Sequence, residues 1–160
     1  MTVPGRKSQK MQREMLTDGT NGLIIFLDGE KKAFEENKRA LIQLKEILGT
    51  RLMNKEIPFR IIVNKDESEE KMAEWEVTRL FLEAGFTFSI DDFHRYCRWV
   101  SCKNASIELQ NLLSIPDRSR ILTKRGTLDK KLRPPAVKAI MAPVEELLPE
   151  IIDLAIEDHS

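Results

Sequence analysis

The chain has 160 residues, 41% apolar and 32% charged, a composition that fits one globular domain with a sizeable core. Its 26 Lys and Arg balance 26 Asp and Glu, so the whole molecule makes no field that would draw it to nucleic acid or an anionic membrane. No apolar run approaches the roughly 18 residues that cross a bilayer, and the first residues lack a signal peptide's apolar core, so the cytoplasm is expected.

In chain order, Gly22 to Leu27 is a short continuous apolar run stopped by Asp28-Gly29, the pattern of a strand covered on both faces. From Glu30 to Leu48 the period becomes helical, with Ala33, Phe34, Leu41, Leu44 and Leu48 on one stripe and Gly49 placed to end it. Pro58 opens a second apolar run, Phe59 to Val63, closed by the polar residues Asn64 to Glu67. A helical stretch, Ser68 to Ala84, ends at Gly85, and the segment Phe86 to Phe93 carries no clear period. Tyr96 to Val100 reads as a third strand, followed by Ser101 to Asn104 and a helix over Ser106 to Leu113.

Residues 118 to 133 hold seven Lys or Arg against one acid, Asp129, and read as an exposed basic connection before Pro134-Pro135. Val137, Ile140, Met141, Val144, Leu147, Leu148, Ile151 and Ile152 then recur at helical spacing, giving a closing amphipathic helix bent at Pro143 or Pro149. The expected division is a main domain over 1–117, the connection over 118–135 and the helix of 136–160 packing on the same domain.

Strands alternating with helices predict an α/β fold, a three-layer sandwich around a mostly parallel sheet with right-handed crossovers. In such sheets the ligand crevice lies outside the carboxyl ends of the strands. Asp28, Asn64 to Glu67 and Ser101 to Lys103 all fall at those ends, so the polar punctuation shares one rim. Cys97 and Cys102 have neither a disulfide-framework nor a zinc spacing, and His94 and His159 have no ligand partner nearby, so no metal or triad site is expected. Trp75 and Trp99 are expected to pack rather than to stack on a ligand.

Three motifs occur in order: Val3-Pro4-Gly5, Asn64-Lys65-Asp66-Glu67 after the second strand, and Ser101-Cys102-Lys103 after the third. Together, over about Thr2 to Leu113, they resemble the small GTPases, in particular the Arf-like and bacterial motility-type branch with its T-x-P-G turn. The resemblance implies a partial G domain that binds GTP or GDP. Gly5 would belong to the switch turn, Gln9 to Thr17 to the switch helix, and Asn64, Lys65, Asp66, Glu67, Ser101, Cys102 and Lys103 to the base pocket. By that resemblance Asn64 contacts the purine and braces the loop, Lys65 packs its stem along the base, and the backbone amide of Cys102 meets the guanine carbonyl oxygen. Glu67 stands where the family has Asp, with Asp66 one place early; a glutamate accepts the same pair of hydrogens but needs one more methylene of room.

The phosphate end departs further. No G-x-x-x-x-G-K-S/T loop occurs in the 160 residues, and Arg6 stands in place of the glutamine that would orient the attacking water, so hydrolysis as in the family is not expected. Magnesium would enter only with ligands from sequence not present here. A sequence that starts within a longer GTPase is expected over a relative lacking the loop. The expected partners are a regulatory or effector protein and a weak membrane-surface contact through 118–133, with no nucleic acid. The competing reading is a non-catalytic interaction module on the same scaffold.

Overall fold

The computed structural model describes residues 20–54, 56–114 and 127–157. Gly5, Arg6, the Gln9 to Thr17 segment and residues 118–126 of the basic stretch lie outside that range.

Strands β1 (Leu23–Asp28), β2 (Phe59–Asn64) and β3 (Cys97–Val100) form a parallel sheet in that order, with Asp28 opposite Asn64 and Asn64 opposite Val100. Helices α1 (Phe34–Leu48), α2 (Thr50–Met53), α3 (Glu74–Glu83), α4 (Ile90–Tyr96), α5 (Cys102–Leu113) and α6 (Pro135–Glu157) surround it. The result is the expected α/β architecture, with helices on both faces of a parallel sheet.

The faces follow strand alternation. Ile25, Leu27, Phe59, Ile61, Val63 and Cys97 point to one side, where Leu41, Leu48, Val77, Leu80, Phe81, Phe88 and Phe93 complete the main core. On that side Phe81 stacks on Phe88 with centroids 4.4 Å apart, and Phe59 meets Tyr96 at 4.6 Å. The other face carries Arg60 and Arg98, which α6 covers with Glu146 and Glu150: Arg60 Nη2 lies 2.5 Å from Glu150 Oε1, and Arg98 Nη2 3.0 Å from Glu146 Oε2. Arg60 is only 7% exposed, so its charge is accommodated by this network rather than by water.

Local boundaries differ from the sequence reading in physically clear ways. The helix expected from Ser68 begins only at Glu74, because residues 66–73 are drawn into turns against β1: Met72 N donates to the Gly29 carbonyl at 2.7 Å, and Lys71 bridges to Glu30. Ala73 N then donates to Glu76 Oε2 at 2.7 Å and starts the helix. The segment without a clear period contains α4, started by Ser89, whose Oγ accepts from Asp92 N at 3.1 Å while Asp92 returns the favour to Ser89 N. Helix α5 begins four residues before Ser106, with Ser101 as its cap. Helix α6 continues through both Pro143 and Pro149.

Candidate functional site at the carboxyl rim of the sheet

The three strands end level, so the residues that follow them converge on one rim. Close approach there requires Gly29. Its amide donates to the Asn64 carbonyl at 2.9 Å, and a Cβ on it would overlap that oxygen and stand 2.7 Å from Trp99 Cζ3.

Asn64, the last residue of β2, reaches across to the third loop: its Oδ1 accepts the amide hydrogen of Cys102 at 3.0 Å. Ser101 Oγ accepts from Asn104 N at 3.0 Å, and the Ser101 carbonyl from Ala105 N at 2.9 Å. A helix leaves its first amides without intrahelical partners. Among the described residues, the Lys103 amide is the one in the first turn of α5 with no protein acceptor.

Lys65 adopts φ 71°, the left-handed region that a side chain rarely occupies. This turn sends the Asp66 amide back to the Val100 carbonyl at 3.0 Å and thereby ties the second loop to β3. Lys65 Nζ lies 3.1 Å from both Asp28 Oδ2 and Glu30 Oε2. These partners raise the lysine's pKa, Glu30 foremost, while Lys32 and then Lys65 lower that of Glu30.

The two adjacent acids separate. Asp66 turns to Lys71, whose Nζ is 2.6 Å from Asp66 Oδ1 and 5.3 Å from the Trp99 ring centroid. The neighbouring Ser101 hydroxyl, then Glu67's own backbone amide and, less, Lys103 hold the Glu67 carboxyl below the ordinary carboxylate range. An ionised, exposed carboxylate thus stands beside the open end of a helix that offers one free amide.

Of the residues expected at the site, Asn64, Lys65, Asp66, Glu67, Ser101, Cys102 and Lys103 come together, whereas Gly5 lies outside the described residues. Asp66 belongs to an internal ion pair, and the Cys102 amide, expected to be available to a ligand, is already taken by Asn64. Glu30 and Lys71 were not anticipated as participants. Their sequence signals are weak, since each is one charge among many, and only the Glu30 to Lys71 bridge brings them to the rim. Burial pushes the Cys97 thiol far up, which keeps it protonated and inert. No cluster of three or more His, Cys, Asp or Glu that could hold a metal occurs among the described residues. A groove of about 430 Å3, lined by Pro58, Phe59, Arg95, Tyr96 and Glu150 among others, opens at the opposite, amino end of the strands. No helix among the described residues is long and apolar enough to cross a membrane.

Compared with known proteins, the chain matches no family model and no curated protein.

Proposed function

We propose that this chain is a small-GTPase-like regulatory protein whose carboxyl rim binds the base of a guanine nucleotide. The supporting observation is the joining of the two loops that resemble base-recognition motifs, through the hydrogen bond from the Cys102 amide to Asn64 Oδ1. Glu67 accepts the two hydrogens on the guanine edge, the Lys103 amide meets the base carbonyl oxygen, and the aliphatic stem of Lys65 lies along the ring. Glu67 takes this role rather than Asp66 because Asp66 is occupied by Lys71.

The residues present fit the base end of GTP or GDP and not the phosphate end, because the 160 residues contain no lysine loop. Binding of this chain therefore draws on base contacts alone, and no hydrolytic step is assigned to it. Its output would be contact with a regulatory or effector protein. Titration with GDP and ADP, followed at the Lys103 and Glu67 amides, tests the reading.

One observation favours the second reading, an interaction module that keeps the scaffold without needing nucleotide. The Lys65 ammonium and the Cys102 amide both have partners within the chain, so the rim is largely self-satisfied. Under that reading Asn64→Ala leaves partner capture intact and no purine perturbs the rim.

A further inference from the structure

We propose that the groove at the amino end of the strands binds a small zwitterion with an apolar body, an amino acid or a short peptide with free termini. The site lies at the end of the sheet opposite the base rim, stands on other residues and goes beyond the nucleotide reading. Its volume of about 430 Å3 falls within the roughly 300 to 1,000 Å3 typical of small-molecule sites. Three segments meet there. The approach to β2 brings Glu56 and Ile57, the end of α4 brings Arg95 and Tyr96, and the last turns of α6 bring Glu150 and Leu154. Ile57, Phe59 and Tyr96 are buried and give the groove a packed apolar floor, with the Phe59 and Tyr96 ring centroids 4.6 Å apart.

The charges on its walls select the ligand. Arg95 lies against the Tyr96 ring, its Cζ 5.3 Å from the centroid, and no carboxylate pairs with it among the described residues. Glu56 accepts from Asn54 Nδ2 at 3.0 Å on Oε1, and its Oε2 has no partner among the described residues. A cation and an anion thus line one groove without pairing with each other. Glu150 differs, because the buried Arg60 donates to both its oxygens and balances its charge. Backbone acceptors at the end of α4 are also taken, since Arg98 Nη1 donates to the His94 and Cys97 carbonyls at 3.2 and 2.9 Å. What remains for a ligand is one guanidinium and one carboxylate beside an apolar floor. An anion would meet Glu56 and Glu150, a cation would meet Arg95, and an uncharged molecule would strip water from both charges without replacing it. A zwitterion answers both. Its carboxylate faces the planar guanidinium, which can donate two parallel hydrogen bonds to it, and its ammonium faces Glu56. Its apolar side chain then lies on Tyr96 and Leu154.

Heteronuclear NMR titration of the full chain with phenylalanine and with leucylphenylalanine tests this, and the ligand that binds names the source, a free amino acid or a peptide. Its Kd is expected on the order of 1 mM, with shifts centred on the Ile57, Tyr96 and Leu154 amides and absent from Ser101 to Lys103. Acetylating its amino group or amidating its carboxylate should each weaken binding roughly fivefold, the upper worth of an exposed ion pair. Arg95→Gln should weaken the free ligand by the same factor and leave the amidated form unaffected. Glu56→Gln should likewise weaken the free ligand and leave the acetylated form unaffected. A substitution that merely loosened the fold would weaken all forms alike. No shift with either ligand, blocked forms that bind as well as the free one, or an Arg95→Gln loss equal for the free and amidated forms would each overturn the proposal.

Discussion

Asn64 and Cys102 stand 38 positions apart in the chain and meet through one hydrogen bond of 3.0 Å, from a backbone amide to a side-chain carbonyl. That bond joins the loops after β2 and β3, and the arrangement of the rim depends on it. An amide of a helix's first turn without a partner is a lost hydrogen bond, so Asn64→Ala should destabilise the fold by roughly 1 kcal/mol. Asn64→Asp keeps an acceptor at the same place and should recover most of that loss. Urea unfolding of the three proteins checks the order.

Gly29 carries a steric prediction. A methyl group there would collide with the Asn64 carbonyl oxygen and with Trp99, neither of which is a loose side-chain tip. Gly29→Ala should therefore cost about 2 kcal/mol, within the range typical of overpacking. It should also shift the backbone resonances of Asn64 and Cys102, which a purely remote effect would not do.

Arg60 tests the attachment of α6. Its guanidinium is buried beneath the helix and bonds Glu146 and Glu150, themselves partly open to water. Arg60→Ala should cost roughly 2 kcal/mol, less than a fully buried pair because solvent screens the glutamates. The loss should shrink in high salt, as measured by thermal unfolding with and without added sodium chloride.

The two acids should behave differently. Asp66→Ala removes the partner of Lys71 and should leave purine-induced shifts at Lys103 unchanged, whereas Glu67→Ala should abolish them. The pH dependence has a definite sign. Glu67 is ionised when bonded by Ser101 and has a folded-state pKa below its ordinary value of 4.5, so the stabilisation it gives is fully present above that value and lost as pH falls through the lowered one. Binding should be level from neutral pH down to about pH 5 and fall only in stronger acid.

Much of the fold is legible in the sequence because it rests on local pattern. The apolar runs behind β1 and β2 have one structural meaning when helices flank them, and Gly49, at φ 56°, ends α1 where a side chain would be strained. Ser89 and Asp92 form a capping pair readable as S-x-x-D, a local signal for α4 within the segment that showed no clear period. The late start of α3 was not legible. Residues 68–73 have a helix-favouring composition, and contacts with Gly29 and Glu30, just past the end of β1, hold them in turns. The rim was legible as a set of strand ends, but the division of labour between Asp66 and Glu67 depends on Lys71 and Ser101, brought there by the tertiary fold.

The most direct test is a heteronuclear NMR titration of the 160-residue chain with guanosine, GDP, adenosine and ADP. Base recognition without phosphate contacts predicts a guanine Kd on the order of 1 mM, nearly equal for guanosine and GDP. The shifts should centre on Asn64 to Glu67 and Ser101 to Lys103, with at least about tenfold weaker binding of adenine. Absence of any guanosine shift at the rim, or equal response to adenosine, would contradict the account.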